Sequence, residues 1–233
     1  MDWKYSKINK KVNNLQLKNI ILDKNKPVLT TTENSDFSKV KIEIDSFADG
    51  MDLAADSEKF YTIIDGNTIK LPELETSDIE KIDTSTENGG VRVHDLENRM
   101  KNNSLVSTVT KSVLAGKYVD SSGNVYTNNL NIDNDFSTNA NVIAGAYASG
   151  ENTAKGGKIT ISAAYDGVVY AGYSEEGEVG DNLISLGNEN GMNAENLVLY
   201  GSNKEDSVGV LEITEGNNSV NTVNNFKIIS LEK

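Results

Sequence analysis

The sequence predicts a mainly β protein: an antiparallel sandwich or small barrel head, preceded by a short helical neck and an N-terminal arm. Most of the apolar residues are Val, Ile and Leu in short runs, which suit the pleated surface of a sheet. The 19 glycines and the many asparagines predict frequent tight turns, because both residues tolerate positive φ. Only 37% of the 233 residues are hydrophobic, so we expect contacts between subunits to provide part of the burial.

Residues 1–26 differ in charge from the rest of the chain. They hold seven lysines against Asp2 and Asp23, although the whole chain has a net charge of −13. This segment is predicted to be a basic arm that docks on the acidic surface of a capsid or tail protein, or else a solvated terminus. The acidic remainder argues against binding to nucleic acid. The candidate anchoring residues are Lys4, Lys7, Lys10, Lys11 and Lys18.

Residues 27–71 are predicted to form a small β region. Apolar and polar residues alternate over 40–44, the pattern of a half-buried strand. The strand-like runs 60–64 and 68–71 flank Asp65, Gly66 and Asn67, which predicts a hairpin. Residues 72–90 are polar and end in two glycines, as a linker does.

A helical neck is predicted over residues 91–116. The indication is apolar residues four positions apart, namely Leu96 with Met100 and then Leu105, Val109 and Val113. Gly116 follows as a helix terminator.

Residues 117–233 are predicted to be a Gly/Asn-rich β domain. Thirteen of the glycines lie between Gly145 and Gly216. Short apolar runs recur at roughly 8–15-residue spacing, which is typical of sandwiches and small barrels. The runs 117–119 and 125–127 flank a polar turn and predict a hairpin.

One stretch of this domain, LNIDNDFSTNANVIAGA at 130–146, resembles segments of bacteriophage fibre and appendage proteins. From Gly177 onwards, GEVGDNLISLGNENG and SVGVLEITEG are similar to small capsid-decoration domains. The resemblance covers residues 91–233 and carries over no functional residue. It implies a homo-oligomeric virion surface protein, commonly a trimer in such families.

The sequence does not point to an enzyme. His94 is the only histidine and there is no cysteine, so thiolate nucleophiles and Cys-based zinc sites are excluded. We interpret His94 as a polar residue at a helix start rather than as a general base. A single Trp leaves no aromatic platform of the kind that sugar-cleaving enzymes present around a carboxylate pair.

Two groups of residues are candidates for binding. Asp133, Asp135 and Asn139 offer oxygen atoms over a short span, as calcium prefers, although an Asx-rich turn explains the same residues. No other cofactor is predicted. Five tyrosines are candidates for an interface or, alternatively, for the edge of a thin core: Tyr147, Tyr165, Tyr170, Tyr173 and Tyr200.

The sequence therefore predicts a non-enzymatic protein of the virion surface, of the capsid-decoration or fibre type, with itself as partner, as a homotrimer. The alternative is a bacterial surface adhesin or carbohydrate-binding module that contacts a cell-surface glycan. No run approaches the roughly 18 apolar residues of a membrane span. The N-terminus lacks the apolar region of a secretory signal. We therefore expect the protein either to stay in the cell that makes it or to leave by lysis, assembly or prior processing.

Overall fold

The structure is a computed structural model that describes residues 14–48, 54–75, 78–86, 89–188, 190–214 and 218–231. Every regular element among these residues is a β-strand, which confirms the mainly β class. The strands are β1 (Leu15–Leu22), β2 (Leu29–Thr30), β3 (Ser35–Asp36), β4 (Val40–Phe47), β5 (Glu58–Thr62), β6 (Ile64–Asp65), β7 (Thr68–Lys70), β8 (Glu73–Leu74), β9 (Asp78–Asp83), β10 (Val91–Lys101), β11 (Ser104–Val119), β12 (Val125–Thr127), β13 (Leu130–Ile132), β14 (Val142–Ala148), β15 (Lys158–Ile161), β16 (Gly167–Ser174), β17 (Leu183–Leu186), β18 (Met192–Ser202), β19 (Val210–Ile213), β20 (Asn218–Asn224) and β21 (Ile228–Leu231).

The fold is a β-solenoid, so the predicted antiparallel sandwich or small barrel is wrong. Most strands pair in parallel with the strand one coil further along the chain, about 25–30 residues later in the larger unit, a spacing typical of solenoids. The glycines and asparagines therefore lie mainly at the corners of coils rather than in hairpins. Short strands between turn residues occur in both architectures, which is why the pattern did not distinguish them.

The described residues form two compact units. Unit 1 takes those of Met1–Met51, Asp56–Ile79 and Asp95–Thr110, and unit 2 takes those of Asp52–Ala55, Glu80–His94 and Lys111–Lys233. In unit 1, parallel pairs join β1 to β4, β4 to β8, β2 to β6 and β3 to β7. In the same unit, β5 is antiparallel to the start of β11.

Unit 2 consists of coils with one strand in each of two sheets. Sheet I holds the parallel strands β11, β14, β16, β18 and β20, with β10 and β9 added beyond β11. Sheet II holds β13, β15, β17, β19 and β21, all parallel. From β13 to β21 the chain alternates strictly between the two sheets.

The core of unit 2 lies between these sheets, because in-register pairing stacks like residues on like. One aliphatic column in sheet II contains Leu130, Ile159, Ile184, Leu211 and Ile229. The next inward-facing column contains Ile132, Ile161, Leu186, Ile213 and Leu231. Full burial of one such side chain stabilises the fold by about 1.5–3 kcal/mol, so each coil depends on the coil beside it.

The predicted helical neck is wrong, since residues 91–116 lie in β10 and β11 and in the turn between them. A spacing of four residues places side chains on one face of a helix, but also on one face of a strand, whose period is two. Val, Thr and Ser dominate 104–113 and favour the strand. Asn102, with a φ of 54°, forms the turn because asparagine tolerates the left-handed region.

One predicted hairpin is confirmed and the other is wrong. β11 and β12 form an antiparallel pair with Tyr118 opposite Tyr126. Around Gly66, however, β6 pairs with β2 and β7 with β3, both in parallel. Gly66 has a φ of 123°, and a Cβ there would lie 2.1 Å from the carbonyl oxygen of Thr31, so the glycine serves a corner between coils. The predicted strand at 40–44 is confirmed within β4.

The proposed domain boundaries stay a prediction, but three described strands fall within predicted non-sheet segments. β1 includes Lys18 of the predicted arm and pairs with β4. β8 and β9 fall within the stretch predicted as a linker, residues 72–90.

Candidate functional site

Four of the five predicted interface tyrosines lie together on the outer face of sheet I. Parallel pairing aligns Tyr118, Tyr147 and Tyr173 in one column and Tyr170 with Tyr200 in a second. These five residues, with Tyr118 added to the prediction, are named the tyrosine ladder. The predicted Tyr165 is not part of it: its ring packs edge-on against Phe136, with centroids 5.4 Å apart, beside the core between the sheets.

The rings of the ladder stack on one another. The centroids of Tyr147 and Tyr173 are 5.2 Å apart with the planes at 2°, and those of Tyr170 and Tyr200 are 5.4 Å apart at 20°. A ring that faces its neighbour in the next coil uses that face for the contact. The ladder therefore holds successive coils together.

Burial changes along the ladder. Tyr118 and Tyr147 are buried, and the cluster that buries them includes Val91 and Val93 of β10. Tyr170, Tyr173 and Tyr200 are half-buried. The part of the ladder in β16 and β18 is thus the part that a ligand or partner could touch.

A network of charged residues, the Lys111 cluster, borders the buried end. It consists of Lys111, Glu80, Glu175, Ser149 and the hydroxyl groups of Tyr118 and Tyr147. The Nζ atom of Lys111 lies 3.3 Å from Oε1 of Glu175, 3.7 Å from Oε2 of Glu80 and 3.0 Å from the hydroxyl of Ser149. It also lies 5.9 Å from the ring centroids of both Tyr118 and Tyr147, within the range of a cation–π contact.

The two tyrosine hydroxyls complete this network. Tyr118 donates to Oε2 of Glu80 at 2.6 Å, and Tyr147 donates to Oε1 of Glu175 at 2.8 Å. The backbone N–H of Gly150 donates to the other oxygen of Glu175 at 2.7 Å. The carboxylate of Glu175 thus receives hydrogen bonds at both oxygens.

The pKa values follow from these contacts. Burial, reinforced by the hydrogen bond to Glu175, raises the pKa of Tyr147 far above its usual value, so the phenol keeps its proton. Burial alone would raise the pKa of Glu175, but the hydrogen bonds from Gly150 and Tyr147 and the charge of Lys111 outweigh it and lower the pKa. The network is therefore an ionised carboxylate held by fixed donors, an arrangement that suits stability.

The calcium candidates lie in the loop after β13. The carboxylate of Asp133 accepts a hydrogen bond from the backbone N–H of Asp135 at 3.1 Å, which is an Asx turn. Over the part of the chain that the structure describes, no three acidic or histidine residues lie close enough together to hold a metal ion. Calcium binding by Asp133, Asp135 and Asn139 stays a prediction that calorimetric titration of the wild type and of Asp133→Asn would test.

The predicted anchoring lysines are only partly visible. Lys4, Lys7, Lys10 and Lys11 lie outside the described residues. Lys18 lies in β1, where its Nζ is 3.3 Å from a carboxylate oxygen of Glu43 in β4 and both side chains are exposed. An exposed ion pair of this kind contributes about 0–1 kcal/mol, so Lys18 is free to exchange partners.

His94 is not at a helix start but buried in β10, where its Nε2 lies 3.3 Å from the hydroxyl of Ser112.

A hollow of about 160 Å³ lies beside Asn131 and Thr160 on sheet II. Its volume is below the ~300 Å³ at which ligand pockets begin. Among the described residues, no helix is long and apolar enough to cross a membrane.

The sequence interpretation missed Lys111, Glu80 and Ser149, which lie in the segments assigned to the neck, the linker and the Gly/Asn-rich β domain. The signal that could have found them is the recurrence of tyrosine about 25–30 residues apart, because such a period indicates stacked coils and places these residues beside the ladder. Comparison with family models, with curated proteins and with solved structures finds no match to this chain.

Proposed function

We propose that this protein is a non-enzymatic structural component of a virion surface, of the capsid-decoration or fibre type, which acts through self-association and attachment. The observation that carries the proposal is that the clustered polar and aromatic side chains of sheet I contact one another. The tyrosine ladder and the Lys111 cluster join successive coils and bond chiefly to one another. Such side chains make a scaffold stiff and leave its terminal strands and N-terminal segment for contacts with partners.

The corners of the coils support the same proposal. The buried amide of Asn182 accepts a hydrogen bond from Gly157 N–H and donates to the carbonyl oxygens of Ala154 and Gly180. Asn203 exchanges two hydrogen bonds with the backbone of Ser174 in the neighbouring coil. The abundance of asparagine, like that of tyrosine, therefore serves the stacking of coils.

Immunogold electron microscopy tests the location. An antibody raised against the whole chain is applied to purified virus particles and to intact cells from the culture that produces the protein. We expect gold on the particles. Labelling of the cell surface with bare particles would overturn the proposal in favour of the adhesin.

The second candidate, a carbohydrate-binding adhesin, is favoured by the half-buried Tyr170, Tyr173 and Tyr200. A glycan array separates the two. The structural proposal expects no retained glycan, because the rings of Tyr170, Tyr173 and Tyr200 are each already stacked on a ring of a neighbouring coil. A glycan that binds the wild type and is lost in Tyr200→Ala, but not in the control Tyr126→Ala on β12, would support the adhesin.

Attachment is proposed to use the basic N-terminal segment. Deletion of residues 1–13 removes Lys4, Lys7, Lys10 and Lys11 and leaves β1 intact. We expect the shortened chain to keep its circular dichroism spectrum but to lose binding to particles in co-sedimentation. A matched chain with these four lysines changed to glutamine should behave in the same way, and undiminished co-sedimentation of both would contradict the anchoring role.

A further inference from the structure

The last coil of unit 2 leaves exposed apolar residues whose counterparts in the middle coils are buried or half-buried. β20 and β21 are edge strands of sheets I and II. Ile229 is 57% exposed, whereas Ile184 in the same column is 0% exposed. Leu231 is 74% exposed, and Ile228 on the opposite face of β21 is 48% exposed.

Exposure is not a general property of the edges of sheet II. The opposite edge strand is β13, in which Leu130 is 1% and Ile132 is 0% exposed. There the N–H of Gly90 donates to the carbonyl oxygen of Asn129, and Gly89 forms a bridge with Leu130. One edge of the sheet is covered and the other is open.

The open coil also lacks the charges that normally protect an edge strand. Residues 218–231 contain a single charged residue, Lys227, although 24% of the whole chain is charged. Proteins commonly prevent edge-to-edge pairing with charged side chains, and β21 contains none. β21 itself therefore adds no like charges that would oppose its pairing with the same strand of a second copy.

We infer that this open coil binds the same coil of a second copy of the chain, with β21 antiparallel to β21 about a two-fold axis. This inference rests on the proposed self-association and names the surface that performs it. Head-to-tail stacking through sheet II would need an open strand at the other edge, and β13 is covered. The open edge of one chain therefore pairs with the same edge of a second chain.

The sequence of β21 fits such a pairing in one register. With Ser230 opposite Ser230 of the second copy, each Ile229 lies opposite Leu231 of the other copy. These residues share the inward face, so the aliphatic columns continue across the axis. A slip of one residue would instead turn the inward face of one copy to the outward face of the other. A two-fold contact of this kind closes at two copies, which gives a dimer rather than the trimer that the phage resemblance implies.

Light scattering after size-exclusion chromatography of the full chain tests the contact. We expect a dimer for the wild type and a monomer with an unchanged circular dichroism spectrum for Ile229→Lys, with the dissociation constant raised by roughly 30-fold or more. The control Ile69→Lys changes an isoleucine of β7 that is also exposed, and it should remain a dimer.

Cross-linking tests the register. Because the chain has no cysteine, Ser230→Cys adds the only thiol, and the two-fold register places it within disulfide distance of its copy. We expect a covalent dimer on mild oxidation. Ser185→Cys, on the same outward column in the middle of the sheet, should give none.

The outcomes separate the two proposals. A trimer, or a dimer that persists in Ile229→Lys and does not cross-link through Ser230→Cys, overturns the two-fold contact and leaves self-association standing. A wild type that stays monomeric at every concentration measured overturns both the two-fold contact and the proposed self-association.

Discussion

The two edges of sheet II have like residues and opposite environments. β13 and β21 both place aliphatic residues in the same inward columns, yet those of β13 are buried and those of β21 are exposed. The difference lies in what covers each edge, since Gly89 and Gly90 contact β13. In a solenoid a residue is stabilised by the coil beside it, so equal side chains contribute unequally according to position.

The largest effect is expected when an isoleucine of one sheet II column is shortened to alanine. The same change is compared in a middle coil and in the open coil. Ile184→Ala should lower the free energy of unfolding by about 2–5 kcal/mol, because it leaves a cavity at a fully buried site. Ile229→Ala should change the free energy of unfolding of the monomer by about 0.5 kcal/mol or less. Chemical denaturation at concentrations below dimer formation measures both, and equal losses would show that the last coil is covered.

A smaller effect is expected from the asparagines that link neighbouring coils. Asn182→Ala removes three hydrogen bonds to the backbone, two of them buried, and leaves the N–H of Gly157 without this acceptor, so it should cost about 3 kcal/mol. Asn221→Ala in β20 removes one exposed bond to the carbonyl oxygen of Glu195 and should cost about 0.5–1 kcal/mol. Thermal unfolding of the two variants should rank them in this order, and the reverse order would contradict the difference between buried and exposed coils.

The smallest effect concerns Glu175 and depends on pH. Its pKa is lower in the folded chain than in the unfolded chain, so its contribution is complete above the unfolded pKa and is lost as pH falls through the folded pKa. Glu175→Gln should therefore destabilise the protein at neutral pH, by about 1 kcal/mol after screening, and less in acid. The control Glu176→Gln removes the same charge from an exposed neighbour and should cost less at neutral pH than Glu175→Gln.

A loss on Glu175→Gln that is the same at neutral and acid pH would contradict this reasoning. It would mean that the loss comes from replacing an acceptor oxygen by an amide NH2 group, which cannot accept these hydrogen bonds, rather than from removing the charge. The Tyr147 hydroxyl would then be the group to test next, because it donates a hydrogen bond to Oε1 of Glu175.

The mainly β class, the strand at 40–44 and the hairpin of 117–119 with 125–127 could be predicted, because local alternation and turn residues act over a few positions. The neck at 91–116 could not, since a spacing of four suits a strand as well as a helix. Of the five tyrosines predicted as an interface, Tyr147, Tyr170, Tyr173 and Tyr200 lie together on sheet I, whereas Tyr165, only five residues before Tyr170, packs against Phe136. Their role as an interface stays a prediction.

By itself the sequence determined that apolar β-formers alternate with glycine and asparagine, and so that short strands would be separated by turns. Only the tertiary structure decided that each strand pairs in parallel with the strand of the next coil. The choice depends on hydrogen bonds and side-chain stacking between residues about 25–30 positions apart, which no local pattern contains. The same pairing brings Lys111, Glu80 and Glu175 together and leaves Ile229 open to a partner.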